Sequence, residues 1–165
     1  MKILPYHLMA DRLDEARHEI LQAIECELQP GHVVEPWESQ AILADIELAD
    51  GKPTSAADAR GKAIALYLAY RRQGGENHAP PVPLILTVTQ SLREGAPVAT
   101  SSLLEQLTND SKATSLRALA EVLQSVAAGS REPALAEAPG LTYTMVAEVL
   151  LMLETLERSG KNNSR

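Results

Sequence analysis

Between Pro36 and His78 the chain reads PWESQAILADIELADGKPTSAADARGKAIALYLAYRRQGGENH, and no other stretch constrains its fold as much. Trp37, Ala41, Ala44 and Leu48 recur at intervals of four, three and four, which places them on one face of an α-helix. Gly51 and Pro53 mark a turn. Beyond it Ala56, Ala59, Ala63, Tyr67 and Tyr70 form a second stripe, rich in alanine. Small side chains on facing stripes let two helix backbones approach closely, while Trp37 and the tyrosines fill the wider ends. The pattern predicts an antiparallel helical hairpin over 36–73, a unit that cannot bury its face alone and must stack on neighbours.

Composition agrees with an all-α fold. Ala and Leu dominate an ordinary apolar fraction of 45%, there is no Phe, and aromatics are only 3% of residues. Ala, Leu, Glu, Gln and Arg are good helix formers. A net charge of −7 with no basic cluster argues against nucleic acid, whose affinity comes mostly from phosphate neutralisation. No apolar run is long enough for a membrane span. The N-terminus MKILPYHLMADR has too short an apolar stretch, broken by Pro5 and His7, for a secretory signal. The single Cys26 allows no internal disulfide, and a cytoplasmic location is the default expectation.

Seven helical segments are predicted. A short one spans 3–10; after a turn at Asp11 a second spans 12–28, with Leu13, Ala16, Ile20, Ala23 and Ile24 inward and Pro30-Gly31 as its stop, so that 3–28 forms a first hairpin. The hairpin at 36–73 follows, with Thr54 or Ser55 capping its second helix and Gly74-Gly75 ending it. GGENHAPPVP reads as a linker. The window Leu84–Thr89 is rich in β-branched residues, but one strand needs partners and no second strand is evident, so the prediction is a helix ending near Glu94. A short helix at 100–107 comes next. Asp110 or Ser111 then caps a longer one, with Leu116, Leu119, Ala120, Leu123 and Ala127 in register and Gly129 at its end. REPALAEAPGL holds about one more helical turn. The last helix spans 142–157, with Val146, Val149, Leu150, Leu153 and Leu156 inward. The expected domains are helical hairpins over 1–76, a linker at 77–83, a helical subdomain over 84–158 and a disordered tail at 159–165.

A repeat signal lies inside the first half. Asp11 precedes Ala16, Ile20 and Ala23 at the same offsets by which Gly51 precedes Ala56, Arg60 and Ala63. A turn residue followed by a small, a large and a small residue resembles the tetratricopeptide repeat. Arg60 stands where that family prefers an aromatic, and the HVVEP loop lengthens the spacing between the units. With Trp37, the YLAYRRQGGEN run from Tyr67 and the REPAL and LTY segments from Arg131, the region from Trp37 to Leu156 looks like the C-terminal part of large bacterial tetratricopeptide proteins, many of which carry a NACHT- or AAA-like nucleotide-binding domain upstream. That resemblance implies an interaction or sensor scaffold. No Gly-rich phosphate loop is present, so no NTPase activity is carried over.

The candidate sites are few. His7, Asp11, Asp14 and His18 would share a face of a continuous helix with Cys26 two turns on, but a turn at Asp11 breaks that register, and a solvated polar face is the simpler account; no metal is expected. Cys26 suits packing better than nucleophilic chemistry. No carboxylate pair or Ser/His/Asp motif indicates catalysis, and neither a cofactor nor an enzyme is predicted. The one cationic-aromatic neighbourhood comprises Arg60, Lys62, Tyr67, Tyr70, Arg71 and Arg72, where an acidic peptide would dock unless these arginines pair with Glu47, Glu76 or other local acids. Near the N-terminus Leu4, Tyr6, Leu8 and Met9, with Ile3, point around most of a short helix, an association surface for a second copy or for upstream repeats of a longer protein. The expected function is a non-catalytic scaffold for protein–protein contact; the alternative is a detached regulatory domain of a larger signalling NTPase.

Overall fold

The computed structural model describes residues 6–27, 35–95, 104–105, 108 and 114–162, with only the backbone course given for 6–11 and 161–162. Among them are six α-helices, one 3-10 helix and no strand. The elements are α1 (Tyr6–Glu27), α2 (Pro36–Ala49), α3 (Pro53–Arg72), α4 (Pro81–Arg93), α5 (Thr114–Ala127), a 3-10 helix (Pro133–Glu137) and α6 (Tyr143–Asn162). The all-α expectation holds. The chain divides into two compact units at Ala69/Tyr70, so the last turn of α3 belongs to the second.

In the first unit α1 is one helix running straight through Asp11, not two helices at 3–10 and 12–28 joined by a turn. Asp in a helix interior costs less than about 1 kcal/mol, and no Gly or Pro stands between Tyr6 and Glu27 to interrupt the backbone hydrogen bonds. The expected hairpin over 3–28 is therefore absent, and α1 packs on α2 instead. Leu13, Ala16, Ile20 and Ile24 are half-buried on one face, while Ala23, expected inward, lies off the edge of that stripe and is exposed. Polar bonds complete the contact. The Arg17 Nε donates to Glu47 Oε1 at 2.7 Å, its other nitrogens reach Asp14 and Asp50, and Ser39 Oγ donates to Glu27 Oε1 at 2.5 Å. Arg17 meets the end of α2 and Glu27 its beginning, so the two helices run antiparallel.

The turn into α3 is closed by Gly51, whose φ of +72° suits only glycine well, and by a hydrogen bond from Lys52 N to Glu47 O at 2.8 Å. Helix α3 starts at Pro53, so Thr54 and Ser55 lie inside its first turn rather than capping it; proline is tolerated there because the first N–H groups have no partner in the helix. Ala44, Ala56, Ala59 and Ala63 are buried, and the Trp37 and Tyr67 rings meet edge to face with centroids 5.5 Å apart. Leu48 departs from the expected stripe at 63% exposure. The last turn of α2 directs Glu47 inward, toward Arg17, in its place.

In the second unit α4 begins at Pro81, inside the stretch expected as linker at 77–83. The β-branched window is helical because burial of Val82, Ile85 and Val88 outweighs its weak helix propensity, and its threonines return their hydroxyls to the backbone: Thr87 Oγ1 donates to Pro83 O at 2.8 Å and Thr89 Oγ1 to Ile85 O at 2.7 Å. Val82, Ile85 and Val88 are buried, with α4 packed on α5 and α6. Helix α5 buries Leu119, Ala120, Leu123 and Val126, and its C-terminal carbonyls receive Arg131, whose Nη1 donates to Val126 O at 2.6 Å. The 3-10 helix packs on α6. Thr142 caps α6, its Oγ1 accepting from Met145 N at 3.3 Å. Val146, Val149, Leu153 and Leu156 are buried as expected, and Leu150 is half-buried. The helix continues to Asn162, beyond the expected end near 157 and into the segment expected as a tail. Of the short helix at 100–107, only Leu104 and Glu105 are described; both are helical and Leu104 is buried. The proposed caps Asp110 and Ser111 and the stop at Pro30-Gly31 lie outside the described residues.

Two outcomes follow for the first unit. Trp37 is the only tryptophan and is 7% exposed. Trp37→Ala should lower unfolding free energy by about 3–5 kcal/mol in a urea titration, and wild-type emission should be blue-shifted relative to the unfolded chain. At Asp50, the Lys52 ammonium 2.8 Å away and then the Arg17 guanidinium hold the carboxyl below its ordinary value of 3.8. A folded-state pKa below the unfolded one contributes stability that is complete above the unfolded value and is lost as pH falls through the folded one. The stability difference between wild type and Asp50→Asn should stay constant near neutrality and vanish in acid below 3.8, as read from urea midpoints across the pH series.

Candidate functional site

The cationic-aromatic edge expected on α3 is largely consumed by the fold. Tyr67 is 2% exposed against Trp37 and cannot meet a partner; its ring is core, a correction that follows from the alanine stripe leaving space only an aromatic fills. Tyr70 is half-buried and donates its hydroxyl to Glu76 O at 3.0 Å. Arg72 pairs with Glu154 at 2.5 Å. Arg60 is half-buried and Lys62 exposed, both in the first unit, whereas Tyr70, Arg71 and Arg72 belong to the second. The acids expected nearby do not take the arginines: Glu47 is bound by Arg17, and the Glu76 carboxylate lies 3.2 Å from His78 Nε2.

Arg71 is placed more deeply. Its Nε and Nη2 grip both oxygens of Glu148 at 2.7 and 3.3 Å, and its Nη1 donates to Gly75 O at 2.5 Å. Glu148 is 2% exposed, in the second turn of α6. The Gly74-Gly75 turn makes this grip possible. Gly74 has φ of +92°, and a Cβ on Gly75 would lie 2.3 Å from the Tyr70 ring, so only glycine lets that ring cover the turn. The Arg-Arg-Gln-Gly-Gly run, conspicuous in the sequence, is thus a helix terminus that delivers one arginine to a buried carboxylate.

Beside this pair, between α4 and α6, lies a groove of about 230 Å³. Buried Ile85, Thr89, Glu148 and Met152 form its floor. Leu86, Gln90 and Arg93 line it from α4, and Leu151 and Thr155 from α6. The Thr89 and Thr155 hydroxyls donate to carbonyls of their own helices, and Gln90 donates to Glu94. Arg93, in the last turn of α4, has no ion pair among the described residues. With both Glu148 oxygens held, the lining offers apolar contact and one cationic group for recognition. Sequence reading missed Leu86, Arg93 and Glu148 because each looked like an ordinary helix residue; a charged residue inside the Val146–Leu153 apolar run was the one available signal.

The other candidates lie elsewhere. With α1 continuous, 7, 11, 14 and 18 do fall on one helix face, but Asp14 turns to Arg17 and His18 Nε2 lies 3.1 Å from Gln22 Nε2. No cluster able to hold a metal is found among the described residues, and the His7 and Asp11 side chains are outside them. Cys26 is exposed on α1. Of the expected association surface, Leu4 lies outside the described residues, and Tyr6, Leu8 and Met9 are described only as backbone of α1. No helix among the described residues is long and apolar enough to cross a membrane. A second hollow, of about 370 Å³, is lined by Glu105, Gln124, Ala127 and Ala128 and carries no paired or converging polar groups.

No protein-family model, curated protein or solved structure matches this chain.

Breaking a buried ion pair at one end strands the other charge, at a cost of about 3–5 kcal/mol. Glu148→Leu and Arg71→Met should each lower stability by roughly that amount. The double variant Arg71→Met with Glu148→Leu should recover most of the loss, as measured by a urea double-mutant cycle.

Proposed function

We propose that this chain is a non-catalytic helical scaffold acting by protein–protein contact, and that a partner docks in the groove between α4 and α6. The observation that carries this is the groove's size and lining. At about 230 Å³ it falls below the ~300–1,000 Å³ typical of sites for drug-sized ligands and cofactors, yet it has room for a protein side chain. Leu86 stands at its rim with 53% of its surface exposed, an apolar side chain that pairs with nothing inside the unit as fully as its buried neighbours do.

The tetratricopeptide-like character belongs to this proposal for α2 and α3. Buried Ala56 and Ala63 at the small positions and an antiparallel course support it, and the single helix α1 supplies no second hairpin. A cytoplasmic setting is part of the same reading, supported by the lone Cys26.

Site-specific photo-crosslinking tests the docking role. A benzoyl-phenylalanine replacing Leu86 in the whole chain, expressed in its native host, should give a discrete protein adduct that Arg93→Glu weakens. The same group at exposed Leu48 should not give that adduct. Identical adducts from both positions, or none from Leu86, would overturn the proposal.

A further inference from the structure

The lining of the groove carries an unbalanced charge. Its ionised groups are Arg71, Arg93 and Glu148, and Arg71 and Glu148 neutralise each other at 2.7 Å. Among the described residues Arg93 is left without an ion pair, and the carboxylate of its neighbour Glu94 accepts from the Gln90 amide. A chain with a net charge of −7 thus presents one unbalanced cation of the groove lining, Arg93, beside an apolar wall of Leu86, Leu151 and Met152. Guanidinium is the side chain best suited to grip a carboxylate through two parallel hydrogen bonds.

Resting on the docking role proposed above, we infer that the occupant is a peptide segment of a protein partner in which an aliphatic residue stands beside an acidic one. The aliphatic side chain covers Leu86 and fills the space over Met152, and the carboxylate binds Arg93. The volume fixes the scale: one leucine-sized side chain fits and an aromatic cofactor does not. Charge fixes the sign, since a basic segment would meet Arg93 while both oxygens of the lining's one carboxylate, Glu148, are already held by Arg71.

The test is a titration of the ¹⁵N-labelled whole chain with three capped tetrapeptides, acetyl-Ser-Leu-Glu-Ser-amide and its Gln and Lys counterparts, and with 4-methylpentanoate. The Glu peptide should shift amides of α4 and α6 and bind about tenfold more tightly than the Gln peptide, the factor of a charge-assisted hydrogen bond, with the advantage shrinking as salt is raised. Arg93→Gln should abolish that advantage, and Arg93→Glu should transfer it to the Lys peptide; Arg93 is exposed, so both variants keep the core intact. Equal binding of the three peptides, shifts outside α4 and α6, or an Arg93→Glu variant that still prefers the Glu peptide would overturn the inference. So would 4-methylpentanoate binding as tightly as the Glu peptide, because the site would then serve a free acid. A Leu86 adduct together with indifferent peptides would leave the docking role standing and remove only its acidic specificity.

Discussion

The Glu148 carboxylate is the constraint on which the second unit is arranged. It is buried in the second turn of α6, where its helix neighbours Val146, Ala147 and Val149 are also buried. A charge in such surroundings costs several kcal/mol unless it is paired and hydrogen-bonded. Arg71 supplies both conditions, and it does so from the end of a helix 77 residues earlier in the chain. Its position depends in turn on Gly75 O, on the left-handed Gly74 and on the missing Cβ of Gly75 beneath the Tyr70 ring. The core of the unit is therefore conditional on one helix terminus being made correctly, a demand that purely apolar packing would not impose.

The first unit is held differently. Its facing helices are lined by alanines, each of which removes little surface from water, and α1 has no fully buried side chain among the described residues. Trp37 and Tyr67, both buried, add an edge-to-face ring contact. Arg17 then bridges α1 to the end of α2 through Glu47 and Asp50. Glu47, ahead of Asp50, keeps that guanidinium charged more firmly than usual. Exposed ion pairs contribute about 0–1 kcal/mol, so the bond to buried Glu47 outweighs the one to exposed Asp14 in fixing the antiparallel course.

Much of the fold was legible because helical periodicity is local. The stripes at Ala56–Tyr67, Leu119–Leu123 and Val146–Leu156 predicted the buried faces that the structure shows. The β-branched window at 84–89 could be assigned to a helix from the absence of strand partners, although the Thr-to-carbonyl bonds that make it comfortable there were not foreseen. Errors arose where a weak local signal met a nonlocal reward. Asp11 looked like a turn but sits in a helix that packs along α2. Leu48 looked like core, yet Arg17, 31 residues earlier, draws Glu47 inward. The candidate site was least legible of all. Arg71 stands out in the sequence as part of a cationic edge, but its partner Glu148 is a carboxylate that only the folded chain brings near.

The groove exists because the residues between α4 and α6 are short or already engaged. Thr89 and Thr155 return their hydroxyls to their own helices and do not reach across, and the Arg71 guanidinium is fixed on Glu148. A leucine at either threonine would fill the space, so the opening is a property of the chosen side chains and not of helix geometry alone. Net charge alone argues against an acidic chain as receptor for an acidic segment. The screening length at physiological salt is about 8 Å, however, so carboxylates on remote faces contribute little at the groove, and the charges within reach set its field. Within the groove lining itself the one charge without an ion pair among the described residues is the Arg93 guanidinium. The net charge of the whole molecule governs how it behaves in bulk solution; the specificity of the groove is decided over the few ångströms between α4 and α6.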